Sequence, residues 1–129
     1  MVRGSYTYTN ADERQSALVG GGLRSIRVLP QAVSVVATQQ IGRRVTATAD
    51  FLGGSEYVSG SFFVGSGNRP YVFAGPRKLD VSLSYALPLG EERALRFYTR
   101  VENVLNRRYW EDGFRTPRIW ATGGVRFQF

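Results

Sequence analysis

Read backwards from its last residue, the chain places a small or apolar side chain at every second position: Phe129, Phe127, Val125, Gly123, Ala121 and Ile119. Gln128, Arg126, Gly124, Thr122 and Trp120 stand between them and are mostly polar or small. A period of two held over about eleven residues predicts a β-strand with one apolar and one wet face. Strands of soluble proteins run to about five or six residues, whereas a tilted strand crossing a bilayer needs about nine to eleven. Length therefore favours the bilayer. The closing aromatic fits a strand whose outer face lies in lipid, with aromatics at the interface.

The same period recurs five times upstream. Val2–Thr9 alternates Val2, Gly4, Tyr6 and Tyr8 against Arg3, Ser5, Thr7 and Thr9. Ala32–Ile41 carries Val33, Val35, Ala37 and Ile41 on one face, and Val45–Leu52 sets Val45, Ala47, Ala49 and Phe51 against Thr46, Thr48 and Asp50. Lys78–Leu87 opposes Leu79, Val81, Leu83, Tyr85 and Leu87 to Asp80, Ser82 and Ser84. Ala94–Leu105 opposes Leu95, Phe97, Thr99 and Val101 to Arg96, Tyr98, Arg100 and Glu102.

The expected fold class is therefore all-β, an antiparallel meander of about six strands. The connections alternate in length. A polar stretch from Asn10 to Pro30, with Asp12-Glu13-Arg14 and Gly20-Gly21-Gly22, is followed by a tight turn at Gly42-Arg43-Arg44. A Gly- and Ser-rich loop over Gly53–Arg77 holds Tyr57, Phe62, Phe63, Tyr71 and Phe73. A short turn spans Pro88–Arg93, and a medium loop, Asn106–Pro117, leads to the last strand. Short turns on one side and longer loops on the other are the pattern of bacterial outer-membrane barrels. With Phe129 at the periplasmic end, both short turns fall on that side and the three longer loops outside. The smallest single-chain outer-membrane barrels have about eight strands, so six would leave two unpaired edges. Further strands are expected to complete the cylinder.

Composition narrows the chemistry. No run approaches the roughly eighteen apolar residues of a transmembrane helix, a criterion that strands escape. Cysteine and histidine are both absent from the 129 residues, which closes disulfides, thiolate or imidazole metal sites and catalysis by an imidazole base. Glu91-Glu92 and Glu111-Asp112 are adjacent pairs in a turn and a loop, a poor arrangement for acid–base work. An enzyme is not expected, nor a cofactor. The net charge of +7 raises nucleic acid as a partner, but the arginines are scattered and form no dense run or basic helix. Solvated wall and loop positions account for them, with anionic lipid head groups a further partner. Met1-Val-Arg-Gly-Ser-Tyr6 lacks a basic segment followed by an apolar one, so the chain is expected to be a piece of a longer exported protein.

One segment, Tyr98-Thr-Arg-Val-Glu-Asn-Val-Leu-Asn-Arg-Arg-Tyr109, resembles the penultimate-strand signature of TonB-dependent outer-membrane receptors, a Val-x-Asn-Leu-Phe-Asp/Asn-x-x-Tyr pattern. Val101, Asn103, Leu105, Asn106 and Tyr109 occupy its positions, with Val104-Leu105 replacing the usual Leu-Phe pair. Thr116-Pro117-Arg118 and the alternating strand after it resemble the way such receptors end, and Leu79-Asp80 resembles the start of a preceding strand. The opening Gly4–Ala11 is similar in character. The likeness spans residues 1–129, and its C-terminal third is the specific part.

The resemblance implies a barrel of about 22 strands closed by an N-terminal plug domain that this chain does not carry. It implies active import across the bacterial outer membrane of a scarce nutrient such as a ferric siderophore, haem, cobalamin or a glycan. The implied partners are outer-membrane lipid, the rest of the barrel and its plug, the TonB complex through the missing N-terminal part, and the barrel-assembly machinery. The last strand, Ile119 to Phe129, would be the segment that machinery reads.

Asn103 and Asn106 are expected to hydrogen-bond backbone where strand gives way to loop. Arg96, Arg100, Glu102 and Arg126 share the wet face and are expected to form a charge lattice. Tyr85, Phe97, Phe127 and Phe129 read as lipid-facing or interfacial aromatics. Tyr57, Tyr71, Phe73 and Trp110, in the outer loops, are candidate ligand contacts. Two rival architectures remain: a small barrel or porin that closes by oligomerising, and a soluble lipocalin-like barrel whose apolar face points inward.

Overall fold

The computed structural model of the chain describes residues 1–10, 28–60, 70–90, 93–111 and 114–129. In chain order these form β1 (Val2–Tyr8), β2 (Gln31–Ile41), β3 (Val45–Gly54), β4 (Tyr57–Gly60), β5 (Pro70–Phe73), β6 (Arg77–Pro88), β7 (Ala94–Glu102), β8 (Trp110–Glu111), β9 (Phe114–Arg115) and β10 (Trp120–Gln128). The described residues contain no helix, and therefore none able to cross a membrane; that criterion says nothing of strands. Asp12–Arg14, Gly20–Gly22, Phe62, Phe63, Glu91, Glu92 and Asp112, singled out above, lie outside the described residues.

Six long strands make one sheet in the order β1-β2-β3-β6-β7-β10, each antiparallel to its neighbour. The meander expected from the alternation is therefore present, and five of the six strands agree with the expected bounds within two residues. Gly42 takes a φ of 62° at the tight turn joining β2 to β3, where the absent Cβ makes that conformation cheap. The turn after β6 is drawn shut by the Leu89 N–H donating to the Arg93 carbonyl at 2.8 Å.

Three expectations need correction. The fifth strand ends at Glu102, short of Leu105, because Asn103 adopts a φ of 52° and turns the chain out of the sheet. The Gly53–Arg77 segment is not loop throughout: Tyr57–Gly60 and Pro70–Phe73 pair as a separate hairpin. Likewise Trp110–Glu111 pairs with Phe114–Arg115 inside the Asn106–Pro117 loop. Strands of four and two residues are too short for alternation to reveal them. Ile119 lies in a bend just before β10 and Phe129 just beyond it.

The register sorts the side chains. Val125 faces Phe97, Phe97 faces Tyr85, Tyr85 faces Val45, and Val45 faces Ile41, so these five share one face in a row across the sheet. A second row on that face joins Ala121, Val101, Val81, Ala49, Ala37 and Val2. Following the alternation along every strand puts Arg3, Asp50, Lys78, Asp80, Arg96, Arg100, Glu102 and Arg126 on the opposite face. Of the charged residues in the six strands, Arg77 alone lies on the apolar side.

That apolar side is not covered. Val125 is 58% exposed, Phe127 50% and Leu83 45%. The buried apolar residues among those described are Tyr57, Val58 and Tyr109, none of which belongs to the six-stranded sheet. The sheet is a single layer with no core of its own, which is not a stable arrangement in water for a surface of this size.

Candidate functional site

The loop end of β6 and β7 is organised around Asn103. Its φ of 52° lies in the left-handed region, which a short polar side chain tolerates better than most. From there its backbone N–H donates to Asp80 Oδ1 at 3.0 Å. Its Nδ2 donates to the carbonyl oxygens of Arg107 at 2.8 Å and Pro117 at 3.1 Å, while Oδ1 accepts the Arg107 N–H at 3.2 Å. The residue is 2% exposed and every polar atom of its side chain is used.

Asn106 repeats the conformation, with a φ of 51°. Its N–H donates to the Asn103 carbonyl at 2.7 Å and its Oδ1 accepts the Ile119 N–H at 3.4 Å. Both asparagines thus hydrogen-bond backbone, as their position in the sequence suggests. Together they tie the loop after β7 to the chain that enters β10.

The other residues of the signature have distinct places. Val101 is on the apolar face between Val81 and Ala121. Leu105 is exposed in the turn. Tyr109 is buried, and its carbonyl oxygen accepts from both Thr116 N at 3.1 Å and Thr116 Oγ1 at 2.9 Å, closing the base of the β8–β9 hairpin. Burial, and after it the neighbouring Glu111 carboxylate, raises the phenol above the ordinary tyrosine range.

Asp80 also anchors the charged face. Its Oδ2 accepts Arg100 Nη2 at 2.8 Å and Lys78 Nζ at 3.0 Å. Lys78 reaches Glu102 Oε2 at 3.1 Å, and Arg100 Nε reaches Glu102 Oε1 at 3.2 Å. The lattice expected on this face therefore includes Arg100 and Glu102, joined by two residues of the preceding strand that the expectation omitted. The signal for them was present, since Lys78 and Asp80 share the parity of the wet face. Arg96 and Arg126 stand directly opposite each other in the register and form no ion pair among the described residues.

Three of the four candidate loop aromatics come together. Tyr57 and Phe73 stack with ring centres 5.6 Å apart, Phe73 and Trp110 are also 5.6 Å apart, and Tyr57 Oη donates to the Trp110 carbonyl at 2.6 Å. Tyr57 is only 6% exposed, so this stack clamps the two small hairpins to each other. Tyr71 lies in β5 with its backbone opposite Ser59. On β10, Ala121, Gly123, Val125 and Phe127 hold the apolar face, and Phe129 stacks on Phe127 at 5.9 Å.

One feature escaped sequence reasoning. A cleft of about 480 Å³ at the loop end is lined by Arg77, Arg107 and Arg108, with Glu56 and the backbone around Gly54 and Gly75. No ion pair to these three arginines exists among the described residues. Arg108 is held below the ordinary guanidinium range by Arg115 first and then Arg118, a sign of positive charge facing positive charge. Thirty positions separate Arg77 from Arg107, so only the fold brings them together. Among the described residues no group of acidic side chains could hold a metal ion.

No protein-family model, curated protein or solved structure matches this chain.

Proposed function

We propose that the chain is the C-terminal part of an outer-membrane barrel of the TonB-dependent receptor type. It would form about six strands of the wall and three outer loops of a receptor importing a scarce nutrient. The observation that carries this reading is the segregation of charge across a single-layer sheet. One face is apolar, exposed and free of charge in the described strands except for Arg77 at its loop end; the other holds an ordered ion-pair lattice. A bilayer covers the first and a wet lumen accommodates the second.

Two further observations support it. The strands have nine to twelve residues in five of the six cases, the length that a tilted crossing needs. The outer edges of β1 and β10 carry no partner among the described residues, which suits a wall segment flanked by further strands. The Asn103 hub gives a physical role to the most specific residue of the signature. Nutrient import, the plug, the TonB complex, the assembly machinery and the bacterial outer membrane follow from the resemblance alone.

These 129 residues hold no cysteine, so each introduced thiol is the only one among them. Single cysteines at Leu83, Val101 and Val125 on one face, and at Ser82, Arg100 and Thr122 on the other, are introduced into the full-length protein in native outer membranes. The first set is expected to resist a water-soluble maleimide and to contact a lipid-borne nitroxide; the second is expected to do the reverse. Equal labelling of both sets, or recovery of the protein in the soluble fraction, sinks the membrane reading. Unchanged nutrient uptake in cells lacking TonB sinks the receptor reading alone.

A further inference from the structure

The one charged residue on the apolar face sits beside a groove. Tyr6, Val33, Gly53 and Arg77 are successive partners in the register and form a row across β1, β2, β3 and β6 at the loop end of the sheet. Gly53 lets Val33 Cγ1 and the Phe51 ring close over the backbone, 3.0, 3.1 and 3.3 Å from where a Cβ would stand. A groove of about 330 Å³ lies beside the row, bounded by Tyr6, Val33, Phe51, Gly53 and Arg77. It shares Gly54, Ser55 and Arg77 with the arginine cleft described above, so the two adjoin.

An arginine here is otherwise unaccounted for. A guanidinium on a face bathed in hydrocarbon is costly near the midplane and nearly free of cost at the interface. Arg77 is at the end of its strand, where that cost is smallest, and it lines the same cleft as Arg107, Arg108 and the single carboxylate Glu56. An apolar trough running into a cluster of cations is complementary to an anionic amphiphile.

We propose that the Tyr6–Val33–Gly53–Arg77 row and the adjoining arginine cleft form a binding site for a phosphorylated membrane lipid, with an acyl chain in the groove and the phosphate at Arg77, Arg107 and Arg108. This rests on the membrane reading and deepens it. Bidentate contact with phosphate oxygens is what a guanidinium provides and a lysine does not, and the cleft is built from arginine alone among its cations.

The test reconstitutes the full-length protein into phosphatidylcholine vesicles with and without phosphatidic acid. Spin-labelled phosphatidic acid and spin-labelled phosphatidylcholine report the fraction of each lipid immobilised against the protein. Phosphatidic acid is expected to be held preferentially, and Arg77→Gln is expected to lower that preference about five-fold. Glycerol 3-phosphate is expected not to displace the lipid, because it has no chain to fill the groove. Equal retention of both lipids by the unaltered chain, or no change on Arg77→Gln, overturns the proposal. Displacement by glycerol 3-phosphate overturns it in favour of a soluble phosphate ligand. Failure to enter either vesicle overturns the membrane reading and this inference with it.

Discussion

Asp80 on β6 accepts the backbone N–H of Asn103 at 3.0 Å, joining two residues twenty-three positions apart. The same carboxylate neutralises Arg100 and Lys78 through its other oxygen. One side chain thus fixes both the charged face and the point where β7 leaves the sheet. These two roles separate by substitution. Asp80→Asn keeps an acceptor for the Asn103 N–H and loses the charge, at a cost of about 1–2 kcal/mol. Asp80→Ala leaves the buried Asn103 N–H without its acceptor and Lys78 and Arg100 with Glu102 alone, at about 2–3 kcal/mol. Urea unfolding of the folded protein measures both. Equal losses would show that the Asn103 contact contributes nothing of its own.

Asn103 and Asn106 share a backbone conformation but not a burden. Asn103→Gly retains the left-handed φ and forfeits the three side-chain hydrogen bonds, for about 2–3 kcal/mol. Asn103→Ala adds about 1–2 kcal/mol of steric cost in that region. Asn106 makes a single side-chain bond of 3.4 Å and is exposed, so Asn106→Gly is expected to change stability by less than about 1 kcal/mol. Denaturant midpoints of the three variants give the order. Asn103→Ala proving no worse than Asn103→Gly would refute the backbone argument.

Burial of the Tyr109 phenol predicts alkaline sensitivity. A folded-state value above the ordinary one means that the unfolded chain gives up its proton first. The stabilisation from the neutral phenol is therefore complete below about pH 10 and declines as pH climbs from there towards the raised value. Tyr109→Phe has no such proton to lose. Its unfolding free energy is expected to fall less than that of the unaltered chain between about pH 9 and pH 11. Parallel pH curves for the two proteins would rule out a contribution from this group.

How much of this was legible beforehand depended on whether a single strand carried the signal. Alternation located the long strands and their faces because a period of two is written in consecutive residues. It also placed Arg100 and Glu102 on one side correctly. It could not show that Lys78 and Asp80 complete their lattice across the β6–β7 register, nor that Asn103 ends a strand whose apolar period continues nominally to Leu105. The aromatics Tyr57, Phe73 and Trp110 looked like separate loop residues. Their stack depends on two hairpins too brief to leave a pattern. The arginine cleft was the least visible, since Arg77, Arg107 and Arg108 meet only through folding.

The polar face is uneven along its length. Towards the loops, Asp50, Asp80 and Glu102 are matched by Arg3, Lys78 and Arg100, and the charges cancel. Towards the short turns, Arg96 and Arg126 face each other with no acid beside them among the described residues. Like charges at opposed positions repel, so these two guanidiniums make their own stretch of the face locally positive. An anion moving along that face would pass from neutral ground into an attractive field, and a cation would meet a barrier at the same place.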